Sequence, residues 1–239
     1  MMSKSRAFKF ALTLAIATLS MQSHSSGMVP EATVLLINEA DGGGSMKVKN
    51  TDDKAALLYT TIQNVDGDGA QKSDNASDVM LVATQPIVRL EGGQTQLVRF
   101  VLNNVEPLQV EQYKRVTFEG IPQAKVAGGK QIATTIRQNL PVIIHPKNLP
   151  VLTTPWEKLE WKVQGNKLTV TNPSAYVVRL SPKVVTQPSN IKGSIGKTFI
   201  LPGETLNVTL ESTTTDKQVK ISPVSRFGIG VGDYLAAVK

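Results

Sequence analysis

Hydrophobic and polar residues alternate in short stretches along most of the chain, and Gly, Pro, Asn and Asp residues separate these stretches. A period of two predicts β-strands with one buried face, because successive side chains of a strand point to opposite sides. Short strands at this spacing are typical of β-sandwiches, so the sequence predicts an all-β protein without a convincing helix. The predicted strands are 33–38, 45–50, 56–64, 80–90, 95–102, 114–121, 130–146, 159–165, 167–172, 175–185, 197–202, 205–210 and 217–224.

A polar link rich in proline divides the predicted strands into two groups. The segment HPKNLPVLTTPW, residues 145–156, contains three prolines. Proline interrupts regular structure, so we place a domain boundary near residue 148. The sequence therefore predicts two β-sandwiches in tandem, an N-terminal domain at 26–147 and a C-terminal domain at 148–239.

Residues 1–25 have the composition of an export signal. Lys4, Arg6 and Lys9 precede the apolar run FALTLAIATLSM, and the small residues Ser23 and Ser25 lie where a signal peptidase cuts. The apolar run is about 12 residues long, whereas a bilayer-spanning helix needs roughly 20. A buried N-terminal helix is the alternative, but no matching helical periodicity follows residue 27. We expect a cleaved signal peptide and a chain that works outside the cytoplasm.

Composition narrows the classes of partner. The chain has no cysteine, so the exported protein has to be stabilised by burial without disulfides. The formal charge is +7, and three of the cations lie in residues 1–25, which leaves 23 basic against 19 acidic residues. Nucleic-acid binding favours a basic stripe with interleaved aromatic residues. Here the cations are scattered and only 5% of residues are aromatic, so we expect no nucleic-acid partner.

The residues that catalysis needs are scarce. His145 is the one histidine outside the export signal, which leaves neither a spare histidine for a Ser/His/Asp triad nor a set of histidines for a metal site. The adjacent acids Asp52 and Asp53 lie in a turn-like segment and are expected to be solvated. The sequence therefore argues against an enzyme, a metal site and a bound cofactor.

The predicted strand at 130–146 is unusual because it contains a proline. Ile132, Thr134 and Ile136 lie on one face of this strand, and Arg137 lies on the other, together with Pro141. Proline cannot donate a hydrogen bond to a neighbouring strand, so it belongs at an edge, at a strand start or at a bulge. The segment is thus predicted to be an edge strand with an apolar face.

Four segments resemble the periplasmic pilus-assembly chaperones of the chaperone–usher pathway. They are PIVRLEGGQTQLVRFVL at 86–102, NPSAYVVRLS at 172–181, LPGETLNV at 201–208 and GDYL at 232–235. Each motif alone is weak, but their order and spacing cover nearly the whole chain after the export signal. The resemblance implies two immunoglobulin-like domains set at an angle, and location in the periplasm.

The same resemblance implies a function. Such a chaperone binds, folds and caps a pilus subunit by donating a β-strand to the subunit's incomplete immunoglobulin fold, and it delivers the subunit to an outer-membrane usher. Strand addition at an open sheet edge provides backbone hydrogen bonds, and alternate side chains fill the partner's core. Ile132, Thr134 and Ile136 are the expected donor residues. A client-free chaperone is also able to associate with itself through this strand.

The chain departs from the family pattern at the residues that hold the client's terminal carboxylate. Members of the family hold the client's terminal carboxylate with an arginine on the first strand and a lysine on the donor strand, where this chain has Thr33 and Pro141. A carboxylate still requires a cation. Arg137, on the same face as Pro141, and Arg99, which points away from the core of its own sheet, are the candidate anchors.

The resemblance also implies a charge cluster between the domains. Its members here are Glu91, His145 and Asp233, with histidine in the place of the usual arginine. Three unconnected surface groups are the alternative interpretation.

Two other functions stay open from the sequence. A structural pilus subunit or adhesin would show one incomplete immunoglobulin fold with a detachable N-terminal extension, whereas this chain predicts two complete sandwiches. An exported carbohydrate-binding or hydrolytic protein is the third reading, although no nucleophile or acid pair supports it.

Overall fold

The computed structural model describes residues 27–65, 71–72, 79–104, 106–122, 135–164 and 167–239. The export signal expected at residues 1–25 lies outside this part of the chain. Within the described residues, the first domain contains the strands β1 (Met28–Pro30), β2 (Leu35–Asn38), β3 (Gly43–Asn50), β4 (Ala56–Val65), β5 (Gln71–Lys72), β6 (Met80–Ala83), β7 (Ile87–Leu90), β8 (Thr95–Asn103), β9 (Gln112–Pro122) and β10 (Arg137–His145).

The first domain is a sandwich whose two layers are joined by β2. The strand order is β5-β4-β9-β10-β2-β3-β8-β6, with β1 beside β3 and β7 beside β4. β2 runs parallel to β10 over four residue pairs, and it meets β3 through the single pair Asn38 and Gly43. Alternate residues of both layers point inward, as the period-two pattern predicts. They form one core that contains Val48, Phe100 and Phe118.

The second domain is a separate sandwich. Its strands are β11 (Glu160–Gln164), β12 (Lys167–Thr171), β13 (Val178–Gln187), β14 (Lys192–Ser194), β15 (Phe199–Ile200), β16 (Thr205–Leu210), β17 (Gln218–Val224) and β18 (Tyr234–Ala237). They follow the order β11-β12-β16-β14-β13-β17-β18, with β15 beside β13. Trp161 lies at the centre of its own hydrophobic core and is 1% exposed.

The expected all-β fold of two tandem immunoglobulin-like sandwiches is confirmed, and the differences are local. The strand expected at 80–90 is two strands, because Pro86 interrupts it and each half pairs with a different layer. The strands β1, β5, β14 and β18 and two short 3₁₀ helices, Glu39–Asp41 and Pro155–Lys158, were not expected. These elements are two to four residues long, which is too short for a periodic pattern to identify.

A third hydrophobic cluster lies between the two domains. Val34, Tyr113 and Ile143 of the first domain pack with Val177 and Phe199 of the second. The rings of Tyr113 and Phe199 stack with centroids 4.3 Å apart. Burial of apolar area stabilises this junction in the same way as a core, so the two domains contact each other through a defined apolar surface.

Candidate functional site

The first half of β10 has an unpaired edge. Residues from Arg137 to Ile144 pair with β9, but pairing with β2 begins only at Val142. Within the described residues, no strand pairs with the segment 137–141 on its second side. Pro141 is the last residue before the pairing of β10 with β2 begins, a place that tolerates a residue without an N–H group. An exposed edge of this kind is open to an added strand.

The residues expected to enter a client lie at and before the start of β10. Ile136 precedes the strand and is 40% exposed. Gly27 lies close to it, since a Cβ added at Gly27 would lie 3.7 Å from the Cβ of Ile136. Ile132 and Thr134 lie outside the described residues.

The face of β9 and β10 that points away from the first core carries two arginines. Arg137 forms an ion pair of 2.8 Å with Glu119, which is directly opposite on β9, but its side chain is 67% exposed. Arg115 is directly opposite Pro141. Its guanidinium donates hydrogen bonds to the side-chain and backbone oxygens of Asn139 at 2.7 and 2.8 Å.

Arg99 occupies a different part of the first domain. It lies on β8 opposite Ser45, and it alternates with the buried core residues Val98 and Phe100 as expected. The outward face around it carries exposed apolar side chains, among them Val82 and Val101. The two candidate anchors thus lie on different strands.

The expected cluster of Glu91, His145 and Asp233 is not formed, and this prediction was wrong. Glu91 pairs with Arg89 at 2.9 Å, and Asp233 accepts a hydrogen bond of 2.7 Å from Ser222. Both ring nitrogens of His145 have other partners. The physical reason is that each acid has a polar neighbour on its own strand or hairpin, whereas the buried histidine has a closer carboxylate elsewhere.

The carboxylate beside His145 is that of Glu111. One oxygen of Glu111 lies 2.8 Å from His145 Nδ1, and the other accepts a hydrogen bond of 2.8 Å from the backbone N–H of Val177. His145 Nε2 lies 2.8 Å from the backbone oxygen of Leu149. Glu111 and His145 are 8% and 4% exposed, respectively. The two side chains therefore link the end of β10, the inter-domain segment and the second domain.

A second carboxylate fixes the start of the inter-domain segment. Glu39 accepts hydrogen bonds of 3.0 Å from the backbone N–H groups of Lys147 and Leu108, and one of 2.7 Å from Asn104. Burial alone raises the pKa of Glu39, but these hydrogen bonds outweigh burial and the pKa lies below its ordinary value. Glu39 is thus held as a carboxylate.

The sequence did not single out Glu111 or Glu39. Both lie in segments that connect strands, where an acid is ordinarily solvated, and their partners are 34 to 108 residues away in the chain. Among the described residues, no group of three His, Asp or Glu side chains is placed to hold a metal ion. No helix in the described ranges is long and apolar enough to cross a membrane.

Two family profiles match the chain in tandem. The profile of the pili and flagellar-assembly chaperone, PapD N-terminal domain, covers residues 27–150. That of the pili assembly chaperone PapD, C-terminal domain, covers residues 154–232. The two matches lie on the first and the second sandwich.

Curated relatives and solved structures agree with these profiles. The chain is 45% identical over 222 residues to the uncharacterized fimbrial chaperone YhcA of Escherichia coli (strain K12), which covers 93% of this chain and 95% of the relative. The SafB chaperone of Salmonella enterica, solved in complex with the SafA pilin, has a TM-score of 0.69 at 19% identity, covering 88% of this chain and 95% of that one. The E. coli chaperone DraB has a TM-score of 0.69 at 22% identity, covering 90% and 97%.

Proposed function

The chain belongs to the PapD family of pilus-assembly chaperones, and we propose that it binds and caps pilus subunits in the periplasm by donating the start of β10 to them. Delivery of the bound subunit to an outer-membrane usher is part of the same proposal. The family consists of assembly chaperones, and one structural neighbour is itself a complex of a chaperone with a pilin.

The observation that carries the proposal is the unpaired edge of β10 at 137–141. The N–H and C=O groups on that side have no strand partner in the described part of the chain, so an incoming strand gains backbone hydrogen bonds there. Ile136, at 40% exposure, is placed to transfer apolar surface into a client. Full burial of an exposed isoleucine contributes about 1.5–3 kcal/mol, and Ile136 contributes less than this because it is already partly buried in the free chain.

Ile132 and Thr134 complete the proposed donor set, which the alternation of the sequence assigns to the same face as Ile136. A threonine contributes less apolar area than the two isoleucines. In the absence of a client, the same edge is open to a second copy of the chain, so self-association of the free chaperone belongs to the proposal.

Co-purification from the periplasm tests the proposed function. We expect a tagged chain to be recovered with a small exported protein in a one-to-one complex, and mass determination identifies that client. Hydrogen exchange of the complex should show new protection at amides within 137–140, relative to the free chain. A complex without that protection, or no recovered client, contradicts strand donation at this edge.

A further inference from the structure

The outer face of one sheet layer in the first domain carries exposed apolar side chains. This layer consists of β3, β8 and β6, which pair in that order. Met80 and Val82 on β6 are 56% and 46% exposed, and Leu97 and Val101 on β8 are 40% and 48% exposed. A group of exposed apolar side chains on one face, rimmed by polar residues, marks a surface that contacts a partner.

The sequence of these strands is apolar on both sides. β6 reads MLVA, and residues 97–102 of β8 read LVRFVL, in which Arg99 is the one polar residue. A strand with one solvated face alternates between apolar and polar residues, whereas a strand covered on both faces is apolar throughout. Val98 and Phe100 are buried in the first core, but the outward residues beside them are exposed. The pattern therefore predicts a cover that the described part of the chain does not provide.

The apolar side chains of this face adjoin one another across the strands. Val82 is directly opposite Val101. The next outward position on β8 is Arg99, and the one after it is Leu97, which is directly opposite Lys47 on β3. Side chains directly opposite each other have Cβ atoms about 4.5–5.5 Å apart. The face thus has apolar side chains at one end, and cations interleaved with apolar side chains toward the other.

The charge on this face has one sign. Arg99, Lys47 and Lys49 point outward from β8 and β3, and none of the outward residues on the three strands is acidic. Glu31, on the far side of β3 from β8, lies 3.8 Å from the ammonium group of Lys47. Residues 26–147 contain 12 Lys or Arg against 13 Asp or Glu, so the domain has a net charge of −1. The cations of this face are therefore not the result of a basic domain, and they favour an anionic partner.

A membrane surface fits this combination better than a protein does. The centre of a protein interface is depleted in charged residues, which lie mostly at its rim. Here Arg99 lies between the outward apolar positions Leu97 and Val101 of its own strand. At an anionic membrane, apolar side chains enter the boundary of the acyl chains, while long cationic side chains reach the phosphate groups from the same surface. A small molecule would instead require a concave pocket.

We propose that the outer face of β3, β8 and β6 binds the surface of an anionic lipid membrane. Val82 and Val101 contact the boundary of the acyl chains, and Arg99 and Lys49 contact the lipid phosphate groups. The open edge of β10 belongs to the other layer of the sandwich. Membrane binding therefore requires no client, goes beyond the proposed function, and leaves the strand-donating edge free.

Vesicle binding by the client-free chain is the first test. Co-sedimentation compares vesicles of phosphatidylcholine alone with vesicles of phosphatidylcholine and phosphatidylglycerol in equal amounts. The chain should bind the anionic vesicles more tightly than the neutral ones by about tenfold or more. Added salt should weaken this binding, because it screens exposed charges. No binding to the anionic vesicles, or equal binding to both kinds, overturns the proposal.

Single substitutions of cations locate the binding surface. Arg99→Gln and Lys49→Gln should each weaken binding to the anionic vesicles by about fivefold, since each removes one cation next to the lipid phosphates. Lys217→Gln is the matched control, because it removes an exposed cation from the second domain, and it should change binding by about twofold or less. If Lys217→Gln weakens binding as much as the other two variants, the net charge and not this face is responsible, and the proposal is wrong.

A fluorescent probe tests the contact with the acyl boundary. The two tryptophans of the chain, Trp156 and Trp161, are both buried in the second domain. Val82→Trp adds an exposed one on the proposed surface, and its emission should shift to shorter wavelengths when anionic vesicles are added. Leu235→Trp, at a position of the second domain that is 52% exposed, should show no shift. No shift with Val82→Trp, or equal shifts in both variants, contradicts the proposed contact.

Val101→Thr separates a membrane from other occupants of the same face. Its added hydroxyl disfavours transfer out of water, so binding to anionic vesicles should weaken by about threefold or more. The melting temperature should match that of the parent, because the side chain is exposed in the free chain. If the chain binds no vesicles and Val101→Thr instead dissociates a client-free oligomer, the face joins two copies of the chain. If it instead reduces recovery of an acidic protein from the periplasm, the partner is a protein. Either result overturns the membrane assignment.

Discussion

The carboxylate of Glu111, in the first domain, accepts a hydrogen bond of 2.8 Å from the backbone N–H of Val177 in the second. The backbone N–H of Glu111 donates in turn to the carbonyl oxygen of Ala175 at 2.8 Å. Glu111 is 8% exposed. Hydrogen bonds to buried charged groups contribute about 1.5–3 kcal/mol each, so this residue is a main polar link between the domains.

Replacing Glu111 is expected to loosen that link. Glu111→Leu leaves the N–H of Val177 buried without an acceptor, at a cost of about 1–3 kcal/mol. Glu111→Gln keeps one acceptor oxygen and should cost less. Thermal unfolding measures the stability of both variants, and small-angle scattering measures the distance between the domains. A leucine variant as stable as the parent would show that the link is dispensable.

Ile136→Asp is expected to reduce client recovery by at least tenfold and to leave the chaperone folded. The side chain is 40% exposed in the free chain, so the aspartate is solvated there. In the complex its charge would be buried in the client's core, which is highly unfavourable. Ile132→Asp should have the same effect to a lesser extent.

Ile136→Val is the control for that prediction, because it keeps an apolar side chain at the same position. Quantitative co-purification compares the three variants with the parent, and the unfolding temperature of each variant establishes that it is folded. Normal recovery of the client by the Ile136→Asp variant would show that Ile136 is not one of the donor residues.

Gly228→Ala is expected to destabilise the contact between the domains. The glycine has φ +87°, a conformation that disfavours residues with a side chain, and an added Cβ would lie 2.6 Å from the hydroxyl oxygen of Thr33. Strain of this kind costs on the order of 1–3 kcal/mol. Gly232→Ala is the matched control, since Gly232 has φ +96° and nothing lies within 4 Å of its added Cβ. Equal unfolding temperatures for the two variants would contradict the prediction.

Glu39 is expected to make stability depend on acid pH. Its folded-state pKa is lowered by the hydrogen bonds from Lys147, Leu108 and Asn104, which outweigh the opposing effect of burial. Its contribution is therefore fully present above the unfolded-state pKa, about 4.3, and is lost as pH falls through the lower folded-state value. Glu39→Gln should lower stability at neutral pH and flatten the decline below about pH 4.5.

Urea unfolding at a series of pH values measures the effect of Glu39→Gln. Glu211→Gln, at an exposed position of the second domain, provides the comparison. If the unfolding free energy declines with acid in the Glu39 variant as it does in the parent, the Glu39 carboxylate does not cause the pH dependence of stability.

The sequence predicted the sandwiches because their strands alternate over five or more residues, as β8 and β16 do. The pattern is local, so it needs no knowledge of partners. The division of 80–90 into two strands depends on pairing with different layers. Local periodicity carries no information on pairing, and Pro86 was the only local signal of the break.

The contacts near the candidate site that cross the domain junction were predicted less well. Glu111 lies in a segment between strands, where an acid is ordinarily solvated. Its partners His145 and Val177 are 34 and 66 residues away in the chain, and local periodicity carries no information on them. The edge at 137–141, by contrast, was indicated by Pro141, since the missing N–H group is visible in the sequence itself.

The position of β2 limits how a guest strand can align with β10. Residues Leu35–Asn38 occupy the second side of β10 from Val142 onward, and Pro141 offers no N–H group at that limit. A guest strand therefore has a fixed stop at one end, whatever its length. If subunits bind this edge as proposed, they would align from that limit, and the spacing between a subunit's terminus and its open core would then restrict which subunits fit.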